Sequence, residues 1–301
     1  MVSLIVLNYN SCELTTRCVE SIHQQLSGKD YEIIVVDNGS CTFEREQLCQ
    51  NLHGQECKIV FSKTNTGFGG GNMIGANEAS GNYLCFLNSD IVLSEDCITP
   101  LCAYLEKHPE VGCITPQQYD IHGNPAQSFK HAPGIRHELL GDGIFEKFFP
   151  KQYPNRHRLY DTPIKVMQIN GCMMVFPTDV FWRIGGFDTN IFLYYEEFDI
   201  AMRLKKQGLC CMLHPNYRFS HLHGASTSKI KLLPTRELYI SKLYTYRKYH
   251  NFWISLIYVL LNIIIITFKP RKWYILPVLV RGESLSLSMK HLQAIYGESH
   301  N

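Results

Sequence analysis

Short apolar runs that alternate with helical patterns over the first 120 residues constrain the fold of this chain most. The runs cover residues 2–9, 31–37, 58–62 and 83–87. Each is almost uninterrupted, which is typical of strands covered on both faces. Between the first two runs an apolar residue recurs every four positions from Leu14 to Leu26, as on one helix face. This alternation predicts an α/β fold built on a parallel sheet.

Composition and charge exclude several classes of protein. The 301 residues carry 29 Lys and Arg against 27 Asp and Glu, which argues against a nucleic-acid binder that neutralises many phosphates. A hydrophobic content of 45% excludes a disordered chain. The twelve cysteines have no C-x-x-C spacing and no secretory leader is visible, so we expect reduced thiols that act as small buried hydrophobes.

Polar residues follow the predicted strands at their carboxyl ends, where parallel sheets bind ligands. Asp37 follows four apolar residues and is either a turn residue or an acceptor for a ligand N–H or hydroxyl. Asp90 lies two positions after Asn88 at the end of another strand. It is either a turn former or a ligand of Mg²⁺ that also binds a diphosphate.

The glycine-rich stretch 67–75 invites comparison with a dinucleotide-binding loop but lacks the required spacing. A G-x-G-x-x-G pattern that begins at Gly67 meets Asn72, and one that begins at Gly69 meets Ile74. We therefore disfavour a nucleotide-dependent oxidoreductase. The glycines still indicate a close approach of the backbone or a tight turn between strand and helix.

Three carboxylates crowd the start of a predicted helix. A helix N-terminus favours acids such as Glu196, Glu197 and Asp199, and Asp199 can pair with Arg203 one turn later. This explains the position of Asp199 well. Either glutamate could instead be a general base held in a cleft, because aromatic residues adjoin both of them.

A pair of histidines stands on a later predicted strand. His221 and His223 alternate along the strand, so both imidazoles lie on one face of it. A single buried histidine would be ordinary. Two on one face, followed by a small polar stretch at residues 224–227, favour a ligand role.

Six motifs occur in the order found in family 2 glycosyltransferases, which the chain resembles over roughly residues 1–228. The motifs are residues 2–10, 35–40, 65–69, 87–90, 185–188 and 195–199. The pattern is most similar to the bacterial rhamnosyltransferase-like branch. The resemblance implies a GT-A fold with a Rossmann-like, mostly parallel sheet and flanking helices. It also implies a nucleotide-diphosphate sugar donor, dTDP- or UDP-linked, with Mg²⁺ or Mn²⁺ as cofactor and inversion at the anomeric carbon.

The resemblance further assigns roles to individual residues. Those that would contact the nucleotide sugar are Tyr9 against the base, Asp37 on the base or ribose, Asn65 and Gly67 on the nucleotide side, and Asn88 and Asp188. Asp90, the last acid of the family's D-x-D motif, and His221 would hold the metal or the diphosphate. Glu197 would be the catalytic base, with Glu196 as the alternative.

Two positions depart from the family's pattern. Asn88 replaces the first acid of D-x-D, which leaves one carboxylate for the metal. A Glu-Glu pair at 196–197 replaces the commoner Glu-Asp, so the proton acceptor stays open between the two glutamates.

The resulting hypothesis is an inverting, metal-dependent transferase. It would move a sugar, with rhamnose as one candidate, to a hydroxyl of a glycan or lipid-linked glycan acceptor in surface polysaccharide synthesis. The alternative is a catalytically silent member of the family that binds a nucleotide sugar or glycan as a scaffold. Only the change at Asn88 supports that alternative.

Composition divides the chain into a transferase domain over residues 1–234 and an aromatic, basic and apolar helical segment over residues 235–301. Residues 120–165 gather Pro, His and Gly and are expected to be an irregular insertion. A chain cut near Lys231 is expected to stay soluble and to bind nucleotide sugars.

The C-terminal segment contains an uncharged run at residues 252–268. As a helix with a rise of about 1.5 Å per residue, this run falls short of the ~30 Å hydrocarbon core of a bilayer. Basic residues on both sides of it suit a peripheral or re-entrant contact with the membrane surface. We therefore expect a cytoplasmic protein held at the inner face of the cell membrane. A buried core helix is the alternative, and a membrane span is less favoured.

Overall fold

The computed structural model describes residues 1–222, 232–281 and 285–297. The strands of this part of the chain are β1 (Val2–Asn8), β2 (Tyr31–Asp37), β3 (Lys58–Phe61), β4 (Tyr83–Asn88), β5 (Ile91–Val92), β6 (Val111–Tyr119), β7 (Phe129–Lys130), β8 (Ile164–Val166), β9 (Gln168–Ile169), β10 (Met173–Pro177) and β11 (Cys210–His221). The central sheet has the order β3-β2-β1-β4-β10-β6-β11-β5, with β8 paired to β11. β7 and β9 form a small separate sheet.

Most strands of the central sheet run in one direction, which confirms the mostly parallel α/β sheet predicted from the sequence. β3, β2, β1 and β4 pair in parallel, and so do β6 and β11. β10 lies antiparallel between β4 and β6. The register places Asn8 beside Asp37, so the carboxyl ends of β1 and β2 lie level with each other. A ligand can therefore approach several strand ends at one edge of the sheet.

Helices cover both faces of the sheet. They are α1 (Cys12–Gln25), α2 (Thr42–Asn51), α3 (Gly67–Asn77), α4 (Ile98–Lys107), α5 (Ile135–Leu140), α6 (Asp142–Phe148), α7 (Thr178–Arg183), α8 (Glu196–Lys206), α9 (Leu232–Tyr249), α10 (Phe252–Thr267), α11 (Leu276–Arg281) and α12 (Met289–Gly297). Leu4 of β1 packs with α1 on one face, and Ile5 of β1 packs with Phe86 on the other. Because successive side chains of a strand alternate between faces, this double cover explains the uninterrupted apolar runs.

The insertion at residues 120–165 contains regular structure, so the expectation of an irregular segment was wrong in part. α5 and α6 lie within it, and β7 pairs with β9 so that Lys130 stands beside Gln168. The sequence pattern missed these elements because helices of six and seven residues repeat too few apolar positions to reveal a period.

The cysteines behave largely as expected. All twelve are free thiols, and eight of them are buried. Burial raises the pKa of Cys18 and of Cys172 to about 12, so these thiols stay protonated and act as small apolar groups. Cys41 and Cys49 are exposed and depart from the expectation.

The C-terminal helices are bonded to the part of the chain that contains the central sheet. α9 begins at Leu232, just before the predicted boundary at 234, and Ser241 donates to the carbonyl of Leu193 at 2.8 Å. Lys248 of α9 lies 2.7 Å from a carboxylate oxygen of Asp188 and 2.6 Å from one of Asp199. A cut near Lys231 would leave both carboxylates without this cation. Such a truncation is therefore expected to destabilise the remaining chain, contrary to the expectation from the sequence.

α10 forms over residues 252–267, where the sequence predicts a helix. It packs with α9 and α11 around a separate apolar cluster, in which the rings of Tyr246 and Tyr258 stack with centroids 3.7 Å apart. None of the helices in the described ranges is long and apolar enough to cross a membrane.

Candidate active site

The carboxyl ends of β1 and β2 hold a buried polar cluster. Asn8 donates to Asp37 at 2.9 Å, and Arg45 donates to the other carboxylate oxygen of Asp37 at 3.0 Å. Asp37 is fully buried. Both of its oxygens therefore have protein partners, and the predicted contact with a base or ribose stays a prediction. Tyr9 follows Asn8 in the sequence and is 41% exposed, so its ring is accessible to a ligand.

Asn38 ties the loop before α3 to the end of β2. Its amide donates to Asn65 at 3.1 Å and to the carbonyl of Gly67 at 3.0 Å, while its oxygen accepts from the N–H of Thr66. Gly67 has a φ of +80°, and a side chain there would overlap the carbonyl of Phe192. The interpretation of this glycine as a place of close backbone approach is confirmed.

Asp90 and His221 face each other across the pairing of β5 with β11. This pairing sets His221 opposite Ile91, and Nε2 of His221 lies 2.9 Å from a carboxylate oxygen of Asp90. Nδ1 of His221 lies 3.2 Å from the amide nitrogen of Gln118, whose oxygen accepts from the thiol of Cys172 at 3.3 Å. The structure thus brings together the two predicted metal ligands, and it adds Gln118, which sequence analysis missed. His223 lies outside the described residues.

The chemistry of Asp90 and His221 fits a divalent cation that the protein holds only in part. A carboxylate oxygen is a ligand that Mg²⁺ and Mn²⁺ prefer, and the imidazole lies 2.9 Å from it in a direct hydrogen bond that a bound cation would replace. In the described part of the chain no third acid, histidine or cysteine joins them in a metal-binding group. The remaining ligands would therefore come from phosphate oxygens and water, which Mg²⁺ and Mn²⁺ accept readily.

A cavity of about 420 Å³ lies beside this pair. We call it the donor cavity, named for the role that we propose for it. Its lining includes Asn88, Asp90, His221, Glu196, Glu197, Phe68, Lys130 and Gly171. Five of the predicted site residues thus meet in one place. Tyr9, Asp37, Asn65 and Gly67 do not line this cavity and belong to the adjoining strand ends.

The two adjacent glutamates differ in their surroundings. A hydrogen bond from the N–H of Gly171, at 3.0 Å, holds one oxygen of Glu197, and the side chain is only partly buried. Glu196 is 3% exposed, and its Oε1 has no hydrogen-bond partner among the described residues. Burial, followed by the charge of Glu197, raises the pKa of Glu196 well above its usual range. The raised pKa favours the protonated form of Glu196, whereas Glu197 is the more accessible of the two glutamates.

The chain reverses sharply just before these glutamates. Tyr194 and Tyr195 have φ angles of +70° and +72°, a left-handed conformation that costs about 1–3 kcal/mol for a residue other than glycine. α8 begins immediately afterwards at Glu196. Such strain is typical of functional sites, because the surrounding structure must hold the residues in place.

A second cavity, of about 350 Å³, adjoins the first, and we call it the acceptor cavity, named for the role that we propose for it. Both cavities are lined by Lys130, Tyr194 and Glu197. The insertion forms one wall of the acceptor cavity through residues 131–134, His137, Glu138, Asp142 and Arg156, and Leu238 of α9 contributes to its lining. Glu197 therefore stands where the two cavities meet.

Paired charges hold the insertion wall together. Arg156 lies 2.7 Å from both Asp142 and Glu146, His137 lies 2.7 Å from Asp142, and His131 lies 3.0 Å from Glu146. Burial lowers the pKa of His131, which favours its neutral form. Lys130 is exposed and has no ion pair with any residue of the described ranges. It is therefore free to meet an anion in either cavity.

Asp188 is not brought to either cavity lining, although the sequence predicts a contact with the nucleotide sugar. Its carboxylate accepts from Tyr244 at 2.7 Å and pairs with Lys248. Burial alone would raise the pKa of Asp188, but these donors outweigh it and hold the pKa below its usual value. Asp188 joins α9 to the segment that leads to Tyr194.

Two relatives carry names that bear on the family. The low-salt glycan biosynthesis hexosyltransferase Agl10 of Haloferax volcanii is 25% identical over 211 residues, which are 69% of this chain and 62% of that protein. The rhamnosyltransferase WbbL of Escherichia coli is 24% identical over 238 residues, which are 75% of this chain and 84% of that protein.

A solved structure and a family model complete the comparison. The mannosyltransferase PcManGT from Pyrobaculum calidifontis, in complex with GDP-Man and Mn²⁺, is 14% identical and superposes with a TM-score of 0.58. The match covers 83% of this chain and 65% of that chain, and it supports a shared GT-A-like fold. A model of the family described as Glycosyl transferase family 2 matches residues 3–185, more than half of the chain. The resemblance read from six motifs is confirmed, and this chain belongs to glycosyl transferase family 2.

Proposed function

We propose that this protein is an inverting, metal-dependent glycosyltransferase that uses a nucleotide-diphosphate sugar. The observation that carries the proposal is the meeting of two cavities at Glu197. One cavity contains the Asp90–His221 pair, which suits a diphosphate with its cation. The other offers Tyr194, Tyr195 and a polar wall to an acceptor sugar.

In the proposed reaction Glu197 acts as the general base. Its free carboxylate oxygen takes the proton of an acceptor hydroxyl as the hydroxyl oxygen bonds to the anomeric carbon of the donor sugar. The bond between that carbon and the diphosphate breaks on the opposite side, which inverts the anomeric configuration. Bound by Asp90 and His221, Mg²⁺ or Mn²⁺ would stabilise the negative charge of the leaving diphosphate.

Lys130 can assist by charge alone. It lines both cavities without an ion pair to any described residue, so its ammonium group can lie against an anionic oxygen of the donor or of the acceptor. Glu196 lines the donor cavity beside it, and in the protonated form that burial favours its carboxyl group can donate a hydrogen bond to a sugar hydroxyl.

The substrates follow from the relatives and from the C-terminal segment. We propose dTDP-rhamnose as the first donor to test, because of the rhamnosyltransferase relative, with UDP-linked hexoses next. The acceptor would be a glycan or lipid-linked glycan of a surface polysaccharide, reached at the cytoplasmic side of the membrane. The exposed apolar side of α10 supports the membrane contact.

A catalytically silent scaffold is the second candidate, and Asn88 is the observation that favours it. This residue lines the donor cavity where the family's D-x-D motif has a carboxylate, so the site has one acid fewer for a metal. Asp90, His221 and Glu197 nevertheless stand together, and a scaffold would have no need of a held carboxylate at the junction of two cavities.

Metal-dependent donor binding tests the proposal directly. A panel of nucleotide sugars is screened with Mn²⁺ by thermal unfolding, since a ligand at 100 times its Kd adds about 2.7 kcal/mol to stability. Asp90→Asn should abolish this stabilisation, and His221→Ala should weaken it, because a neutral ligand contributes less charge. Donor binding without turnover, in the presence of Mn²⁺ and a matched acceptor, would favour the scaffold. Unchanged Mn²⁺ dependence of donor binding in both variants would return Asp90 and His221 to a structural role.

A further inference from the structure

Two sets of large apolar side chains lie exposed, one in the insertion and one in α10. In the insertion they are Leu139, Leu140, Ile144, Phe148 and Phe149, which are 43–66% exposed. In α10 they are Trp253, Ile257, Leu260, Ile264 and Phe268 at its end, which are 49–80% exposed. We call the two sets together the apolar platform. Exposed apolar groups of this number are unusual on a soluble protein and indicate a surface that meets another phase or partner.

The distribution of polar and apolar side chains on α10 is the opposite of that on an ordinary surface helix. Its buried positions include Ser255, Tyr258 and Asn262, whereas the exposed positions of the platform are all apolar. The exposed positions 253, 257, 260, 264 and 268 follow each other by three or four residues and so form one stripe. A helix that turns polar groups inward and apolar groups outward suits an apolar environment on its outer side.

Contacts join the insertion to the C-terminal helices. Glu138 of α5 is bonded to Tyr258 of α10 and to Lys242 of α9. Ile135, at the start of α5, packs against the apolar cluster of the C-terminal helices. His137 and Glu138 line the acceptor cavity, and Leu139 follows directly. The same short helix therefore forms a wall of the cavity and a part of the platform.

Between residues 135 and 151 of the insertion the charges are sorted by sign. The acids of this stretch, Glu138, Asp142 and Glu146, are at least partly buried and are paired with cations. The exposed cations of the same stretch are Arg136, Lys147 and Lys151, and none of them has an ion pair in the described part of the chain. From residue 252 to 281 the sequence has no acid, and Lys269 and Arg271 are exposed beside Phe268. The platform is thus apolar in composition with an unbalanced positive charge around it.

We propose that the insertion and α10 dock together on an anionic lipid surface, so that the acceptor enters its cavity from the lipid side. Apolar side chains would enter the interface while the unpaired cations meet lipid headgroups. A second copy of the chain fits less well, because a twofold interface would set the same cations against each other. The entry of the acceptor rests on the proposed function, whereas the docking does not.

Vesicle binding by the full-length chain tests the docking. The probes are vesicles of phosphatidylcholine with phosphatidylglycerol, and of phosphatidylcholine alone. We expect binding to the anionic vesicles only, and a loss of about tenfold in affinity for each phenylalanine removed in a Phe148→Ser/Phe149→Ser variant. Phe43→Ser is the matched control, since Phe43 is 68% exposed on α2, outside the platform, and should leave binding unchanged.

Three results would overturn the proposal. One is a double variant that binds as tightly as the original chain while Ile264→Ser does not, which would leave α10 as the sole anchor. Another is that the original chain is a dimer in solution while the double variant is a monomer, which would assign the platform to contact with a second copy. The third is that the Phe43→Ser variant and the double variant bind the anionic vesicles with equal affinity.

Donor hydrolysis without vesicles keeps the two proposals apart. The double variant should hydrolyse the donor at an unchanged rate, because the platform lies outside the donor cavity. If the original chain lacks hydrolysis and transfer with every donor, the proposed function fails, and the vesicle result still decides the docking.

Discussion

The two cavities that meet at Glu197 are built by different means. The donor cavity depends on backbone pairing, because the ladder between β5 and β11 sets His221 beside Asp90. The acceptor cavity depends on side-chain charges, because Arg156 and its carboxylates hold the insertion wall. Backbone ladders fix positions whatever the side chains are, whereas an ion-paired wall changes with each substitution. We therefore expect the acceptor side to be the more variable part of the site.

The largest effect is expected at the residue that both cavities share. Glu197→Gln should lower turnover about 10²–10⁴-fold, because an amide cannot accept the proton of the acceptor hydroxyl. Donor affinity should be nearly unchanged, as measured by thermal unfolding with nucleotide sugar and Mn²⁺. Glu196→Gln is the matched control and should retain most turnover, because burial favours the protonated form of this glutamate, which cannot act as a base. If Glu196→Gln is the inactive variant instead, the assignment of the base is wrong.

The next effect concerns Lys248 of α9, which pairs with Asp188 in the loop before Glu196 and with Asp199 of α8. Lys248→Met should lower the free energy of unfolding by about 2 kcal/mol at neutral pH, because it leaves Asp188 and Asp199 without their shared cation. Because the pKa of Asp188 is below its usual value, the stability from this pairing is present above about pH 4 and is lost as pH falls further. The two proteins should therefore converge in acid. Urea unfolding of the original chain and the variant, at neutral and at acid pH, measures the two differences in stability.

Lys205→Met on exposed α8 surface is the control for that variant and should change stability by less than about 0.5 kcal/mol. Equal effects of the two substitutions would mean that α9 is held by apolar packing alone. In that case the contrast between backbone pairing and charge would not extend to this part of the molecule.

A smaller effect is expected from the unpaired cation between the cavities. Lys130→Ala should raise KM about tenfold for whichever substrate carries the anion that Lys130 meets, since a charge-assisted hydrogen bond contributes about 1.5 kcal/mol. Separate titrations of donor and acceptor identify that substrate. Lys165→Ala, at an exposed position of β8 outside both cavity linings, is the control. Unchanged KM values for both substrates would show that Lys130 binds neither.

The smallest effect is expected in the free energy of unfolding, whose pH dependence reports the ionisation of Glu196. Because the pKa of Glu196 is raised, its favourable protonated form is lost as pH rises, and ionisation then destabilises the fold. Glu196→Gln lacks this ionisation, so its stability relative to the original chain should increase by about 1 kcal/mol as pH rises above about 4.5. Urea unfolding at several pH values measures this difference. A constant difference would mean that the pKa of Glu196 is not raised in the folded protein.

The sequence predicts the donor side far better than the acceptor side. Asp90 and Asn88 could be found because a strand ends there, and His221 because it ends another strand, so a local pattern locates each of them. Gln118 and Lys130 could not be found in this way. Gln118 matters through a contact with a residue 103 positions away, and Lys130 through the pairing of two-residue strands. No local period marks either contact.

The C-terminal segment shows a related limit. An uncharged run predicts the α10 helix, but hydropathy does not reveal which of its residues face α9. The buried Ser255 and Asn262 become visible only once α9 is packed against them. For the same reason Asp188 could not be recognised as a partner of Lys248, which lies 60 residues later.

The hydrogen bond from Gly171 to Glu197 has a consequence for the product of the proposed reaction. Since the N–H of Gly171 occupies Oε1 of Glu197, the carboxylate presents its other oxygen in one fixed direction. A hydroxyl is then selected by where it stands on the acceptor ring rather than by its acidity. The regiochemistry of the glycosidic bond would therefore be decided by how the acceptor ring is seated, and reshaping the cavity wall could redirect the bond to another carbon without any change in the base.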